Sequence, residues 1–160
     1  GVRLTDTFWS LRSLSSQMTV RRLWAAVRRW TPWVIVAPRR YVGRGDEWGS
    51  FDFESWSERY EWREDEWNGW VDVARRPDDT VADETGDCED YALVAASWAL
   101  ARGRTPVGVG FCFTSWLPIP RHAIAYDRDR VYSSGEVREE SVDAFLDRTE
   151  YAWALRRRLA

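Results

Sequence analysis

Lysine is absent from this 160-residue chain, histidine occurs once, cysteine occurs twice, and no apolar run approaches the thickness of a bilayer. Each shortage excludes something. Two cysteines, Cys88 and Cys112, cannot build a disulfide framework, and with one histidine they fall short of a four-ligand structural zinc site. Neither a metal nor a cofactor is expected. The longest apolar runs, such as Trp33 to Pro38, are far below the ~20 residues that span a membrane, and no charged-apolar-small leader pattern opens the chain. A soluble, cytoplasmic protein without membrane contact is the expectation. An excess of positive charge is lacking as well: 23 basic residues, all arginine, face 26 acidic ones, for a net charge of -3 and a pI near 5.3. Such a balance supplies no field to draw nucleic acid, and no nucleic-acid partner is expected.

What is present is ample core material, 44% apolar and 15% aromatic, enough for one domain of ordinary size. Residues 1–17 read as an N-terminal extension, disordered and outside the argument, and residues 18–160 as a single domain. From Thr19 to Trp30 the apolar residues Val20, Leu23, Trp24, Val27 and Trp30 form one helical stripe with arginines opposite. Core packing is the favoured use of that stripe, and attachment to an acidic membrane surface the rival. Pro32 and Pro38 bracket a short apolar run that is expected to be a strand or extended linker. Between 44 and 70, aromatic residues interrupt runs of acids without a clean period. Most of these rings are expected in the core, with some walling a cleft. Arg76-Pro77-Asp78-Asp79 reads as a loop before the segment that carries the chemistry.

That segment is Thr85-Gly86-Asp87-Cys88-Glu89-Asp90-Tyr91-Ala92, continued by an alanine-rich run and stopped by Gly103. It reads as a helix with cysteine in its first turn and Asp87 as N-cap. A thiol there feels the positive helix end, which can lower its pKa from about 8.5 into the range of roughly 3.5 to 7.5. Asp87, Glu89 and Asp90 act the other way, so a cationic partner is required.

Val107, Val109, Phe111 and Phe113 then alternate with Gly108, Gly110 and Cys112, giving a strand with Cys112 as a small buried residue. His122 to Tyr126 forms a second strand, and Asp127 to Arg130 a tight turn into Val131-Tyr132-Ser133-Ser134. Pairing Asp127 with Arg130 sets Ile124 opposite Ser133 and His122 opposite Gly135, so His122 and Ser133 become diagonal neighbours on one face. Asp127, Asp129 and Glu136 read as solvated turn charges. The tail predicts a small helix capped by Ser141, with Val142, Phe145 and Leu146 inward. Tyr151, Trp153 and Leu155 follow at strand spacing, ahead of a solvated basic end, Arg156 to Arg158.

The motif Gly86-Asp87-Cys88-Glu89-Asp90-Tyr91-Ala92, with His122-Ala123 opening a strand, resembles the bacterial and archaeal transglutaminase-like cysteine peptidases over roughly residues 77–137. The resemblance implies an α+β, papain-like core in which the helix starting at the nucleophilic cysteine packs on an antiparallel sheet. It also implies catalytic roles for Cys88 and His122, with Ser133 where the family has the aspartate that orients the histidine. The implied activity is amide hydrolysis or acyl transfer on a protein or peptide through a thioester, most simply that of a cysteine peptidase. A catalytically degenerate binding or assembly module of the same fold is the alternative.

Overall fold

The computed structural model describes residues 31–64, 73–117 and 119–160. The amphipathic stripe from Thr19 to Trp30, the extension 1–17, Trp67 and Trp70 lie outside them. The described chain is α+β, with an antiparallel five-stranded sheet carrying helices on both faces.

The first element is a helix, α1 (Thr31–Val36), followed by a 3-10 turn over Pro38–Arg40. This corrects the expected strand or linker. Pro32 falls in the first helical turn, where a missing N–H costs nothing and the fixed φ suits a helix. Val34 is fully buried, and the Arg157 guanidinium donates to the Ile35 carbonyl at 3.0 Å, fastening α1 to the far end of the chain. Two further short helices, α2 (Glu47–Ser50) and α3 (Phe53–Arg59), lead into a two-residue strand, β1 (Glu61–Trp62). Trp48, Phe53, Trp56 and Tyr60 are all buried, so most of the described rings between 44 and 64 belong to the core. Trp62, by contrast, is 57% exposed.

Pro77 opens a helix, α4 (Pro77–Asp83), where a loop is expected from the sequence. Proline in its first turn and Asp78 and Asp79 beside it are start signals as much as turn signals. Strand β2 (Thr85–Gly86) pairs in parallel with β1. Then comes the central helix, α5 (Cys88–Ala101), whose N-cap Asp87 accepts from the Asp90 N–H at 3.3 Å. Its end falls where Gly103 takes a φ of +67°, a left-handed stop. Residues 89–99 of α5 are all buried, because α5 has sheet on one side and the Phe53, Trp56 and Tyr60 rings on another. The stacked pairs Phe53–Trp98 and Trp56–Tyr91, 4.8 and 5.6 Å between centroids, each add about 0.5–1.5 kcal/mol beyond their burial.

The sheet runs in the order β6-β5-β4-β3-β7, made of β3 (Gly108–Phe113), β4 (His122–Tyr126), β5 (Val131–Ser133), β6 (Glu136–Arg138) and β7 (Trp153–Arg158). Helix α6 (Val142–Arg148), capped by Ser141 on the Ala144 N–H, precedes β7. Alternation along β3 and β4 splits the core. Val107, Val109, Phe111, Ala123 and Ala125 meet α5, while Cys112, Ile124 and Val131 meet Val142 and Phe145 of α6 on the other face. Arg156 to Arg158, expected as a solvated end, form the last half of β7, where Arg156 and Arg158 are exposed, and pair with Gly110, Val109 and Gly108. The turn acid Asp127 is also not solvated: it is 7% exposed, and it accepts from the Tyr132 hydroxyl at 2.6 Å and the Arg104 guanidinium at 3.0 Å. Its other oxygen takes the Asp129 and Arg130 amides, which closes the β4–β5 turn.

Candidate active site

The hairpin register expected from the sequence is present, with Ala125 opposite Tyr132 and Tyr126 opposite Val131. It stops sooner than expected. After Ser133 the chain turns through Ser134 (φ +44°) and Gly135 (φ +88°), a two-residue connection with both central residues left-handed, into β6. His122 therefore has no strand partner at Gly135, but its diagonal contact with Ser133 is made: Nε2 and Oγ are 2.8 Å apart.

That early turn creates a vacancy in the ladder. The Asp127 N–H bonds across to Arg130, so the amides two and four residues back, at Ala125 and Ala123, point the same way. Continuing the register would set Ser134 opposite Ala123, yet the chain has already left the sheet. The Ala123 N–H is instead the backbone donor that favours the charged form of the Cys88 sulfur, and α5 packs against β4. His122 emerges from β4 on the α6 face one residue before that donor, and Cys88 and His122 line the same cavity, of about 520 Å³.

Two aromatic rings fix the imidazole. Tyr151 lies parallel to it, 5.5 Å away at 6°, and Phe145 lies beyond at 6.5 Å and 20°. Burial in this stack lowers the His122 pKa to about 4, because a charged ring would lose its water. The Cys88 thiol is pushed well above its ordinary value, first by burial and then by the carboxylates of Glu89 and Asp87, with the Ala123 N–H opposing. The lowering expected from the helix end is therefore overturned: desolvation and two adjacent acids outweigh the helix dipole. At neutral pH the pair rests as thiol and neutral imidazole.

The helix start is braced from outside. The Tyr60 hydroxyl donates to the Asp87 carbonyl at 2.7 Å, and the buried Asp90 accepts the Arg75 N–H at 2.6 Å. Gly86 is required beneath them, since a Cβ there would lie 2.6 Å from Asp90 Oδ2 and 3.1 Å from the Tyr60 hydroxyl. Trp62 and Glu64, brought in by the β1–β2 pairing, form one cavity wall, and Arg121 another. Among the described residues no group of three or more His, Cys, Asp and Glu side chains is placed to hold a metal ion, and no helix is long and apolar enough to cross a membrane.

Sequence reading did not find the clamp made by Tyr151 and Phe145 or the Ala123 donor. The Ser-Gly pair at 134–135, a recognised turn signal, could have pointed to the second. In comparisons with known proteins, no family model, no curated protein and no solved structure matches this chain.

Proposed function

We propose that this chain is a cysteine-nucleophile amide hydrolase or acyl transferase with a transglutaminase-like, papain-related core, acting on a protein or peptide and most simply a cysteine peptidase. The observation that supports it is one cavity receiving Cys88 from the start of α5 and His122 from the start of β4, with Ser133 on the imidazole Nε2. A neutral ring that donates from Nε2 to Ser133 presents its lone pair at Nδ1. In the proposed reaction Nδ1 takes the thiol proton as the sulfur attacks an amide carbonyl carbon. The new S–C bond pushes the carbonyl electrons onto oxygen, where amides at the start of α5 stabilise them. Collapse expels the amine, which leaves with the proton held by His122, and a thioester remains on Cys88. Water or a second amine then releases the acyl group, giving hydrolysis or transfer.

A neutral resting pair makes this base catalysis at the moment of attack, not a stored thiolate. Ser133 orients the ring but cannot stabilise an imidazolium as a carboxylate does. These two features also favour a second reading, a binding or assembly module that keeps the site without turnover.

Acylation by p-nitrophenyl acetate separates the two. Acetyl transfer to Cys88, located by peptide mass mapping, is expected to slow by roughly a hundredfold or more in His122→Ala. Acetylation absent from Cys88, or equal in both proteins, would leave the binding module as the better account.

A further inference from the structure

The groups that hold the His122 ring, Ser133, Tyr151 and Phe145, are all uncharged. Among the described residues no carboxylate pairs with the imidazole, and burial acts on its titration without an opposing charge. In the proposed reaction this ring takes the thiol proton and becomes a cation inside the protein, a costly state unless something answers the charge. An aromatic face is placed to do so. Tyr151 lies 5.5 Å from the imidazole, centroid to centroid and parallel within 6°, inside the roughly 6 Å over which a ring attracts a cation. Phe145, at 6.5 Å, lies outside that range, and the Arg148 guanidinium stands over its ring at 5.5 Å. Tyr151 is also fixed along the chain from both sides. The Thr149 N–H, at the end of α6, donates to the Phe145 carbonyl at 3.1 Å, and the Ala152 N–H, one residue before β7, donates to the Phe113 carbonyl at 2.7 Å.

We infer that Tyr151 is a positioning residue of the acyl transfer: its ring face stabilises the imidazolium that His122 becomes on taking the Cys88 proton, a task the Ser133 hydroxyl cannot perform. Resting on the acyl-transfer reading above, the inference names the group that makes its base effective. The stack does not charge the resting ring, because burial outweighs one aromatic face. The positive charge exists only while the proton is in transit from the thiol to the leaving amine. The same contact holds the imidazole plane, so that Nε2 stays on Ser133 and Nδ1 is left for the proton.

Graded fluorination tests the ring face while leaving its shape nearly constant. Fluorine withdraws electron density from an aromatic ring and weakens its attraction for a cation. Tyr151→Phe is the reference, and phenylalanines carrying one, two and three ring fluorines are placed at the same position. Acetylation of Cys88 by p-nitrophenyl acetate at neutral pH is expected to slow with each fluorine, by about fivefold or more across the series. The titration of His122, followed by imidazole NMR, should fall in step by roughly one pH unit, a readout that needs no turnover. The same fluorines placed at Phe145 should move both quantities less, because that ring lies farther from the imidazole and already faces Arg148.

A rate and a titration that ignore the fluorines, or an effect at Phe145 equal to that at Tyr151, overturn the inference. His122-dependent acetylation whose rate is flat across the Tyr151 series defeats this inference alone. A titration that follows the fluorines in a protein showing no His122-dependent acetylation of Cys88 defeats the acyl-transfer reading and leaves the ring's hold on the imidazolium standing.

Discussion

The start of α5 and the middle of the sheet each hold a cysteine, and the pair separates what makes a thiol a candidate nucleophile from what does not. Cys112 lies on β3 between His122 and Ala154 of the neighbouring strands, fully buried against the α6 face. Burial pushes its thiol up to about 12, with Arg156 opposing. Cys88 is raised too, also chiefly by burial. Acidity therefore does not distinguish them. Cys88 opens onto a cavity, has the Ala123 backbone N–H favouring its charged form, and shares that cavity with the imidazole. The lesson is that the backbone around the sulfur marks the site, and that the proton has to be moved by a partner.

The contrast breaks most sharply under substitution of the two cysteines. Cys88→Ala is expected to abolish acetylation by p-nitrophenyl acetate with little change in the urea unfolding midpoint. Cys112→Ser should do the reverse, costing about 1–3 kcal/mol for a hydroxyl placed in a dry core and leaving the acetylation rate near native.

The histidine provides the next largest effect. Its folded pKa, about 4, lies below the ordinary 6.5, so between these values the unfolded chain binds a proton that the native protein does not. Native stability is then lost as pH falls from 6.5 toward 4, by roughly 3 kcal/mol in total. Urea unfolding across this window should show that loss in the native protein, and the difference from His122→Gln isolates it from carboxylate titration.

Gly86→Ala sharpens the comparison from the scaffold side, because the added Cβ meets Asp90 and the Tyr60 hydroxyl. A loss of about 1–3 kcal/mol is expected, again read from the urea midpoint, together with slower acetylation of Cys88 and no change in the burial of Cys112. The smallest effect is expected at Ser133. Ser133→Ala removes the Nε2 partner and should slow acetylation about tenfold, equivalent to about 1.4 kcal/mol. Ser133→Asp should raise the His122 pKa instead, by placing a negative charge on the ring.

Much of the candidate site was legible in the sequence because local rules and long-range packing agree there. Asp87, the alanine spacing and Gly103 set the bounds of α5, and the Asp127–Arg130 turn sets a register that carries His122 to Ser133. Where a residue has two opposed uses, the sequence was silent. Pro32 and Pro77 each begin a helix, yet proline also breaks one, and only the burial of Val34 and Thr80 shows which use prevails. The three arginines of β7 pair with β3 from more than forty residues away, a contact without local signature. Asp127 in a turn is ordinarily solvated; here Tyr132 and Arg104 close over it. The resting state of the pair was hidden as well, since the burial that raises Cys88 and lowers His122 belongs to the folded packing and not to the local sequence.

Because His122 is the only histidine in the chain, one measurement addresses the pairing directly: the imidazole nitrogen resonances followed against pH, before and after methylthiolation of Cys88. The account predicts a neutral ring protonated at Nε2 through neutral pH, a titration near 4, and a clear displacement of both once Cys88 is modified. A titration near the ordinary 6.5 that is indifferent to modification of Cys88 would mean that the two side chains share a cavity without acting as a pair.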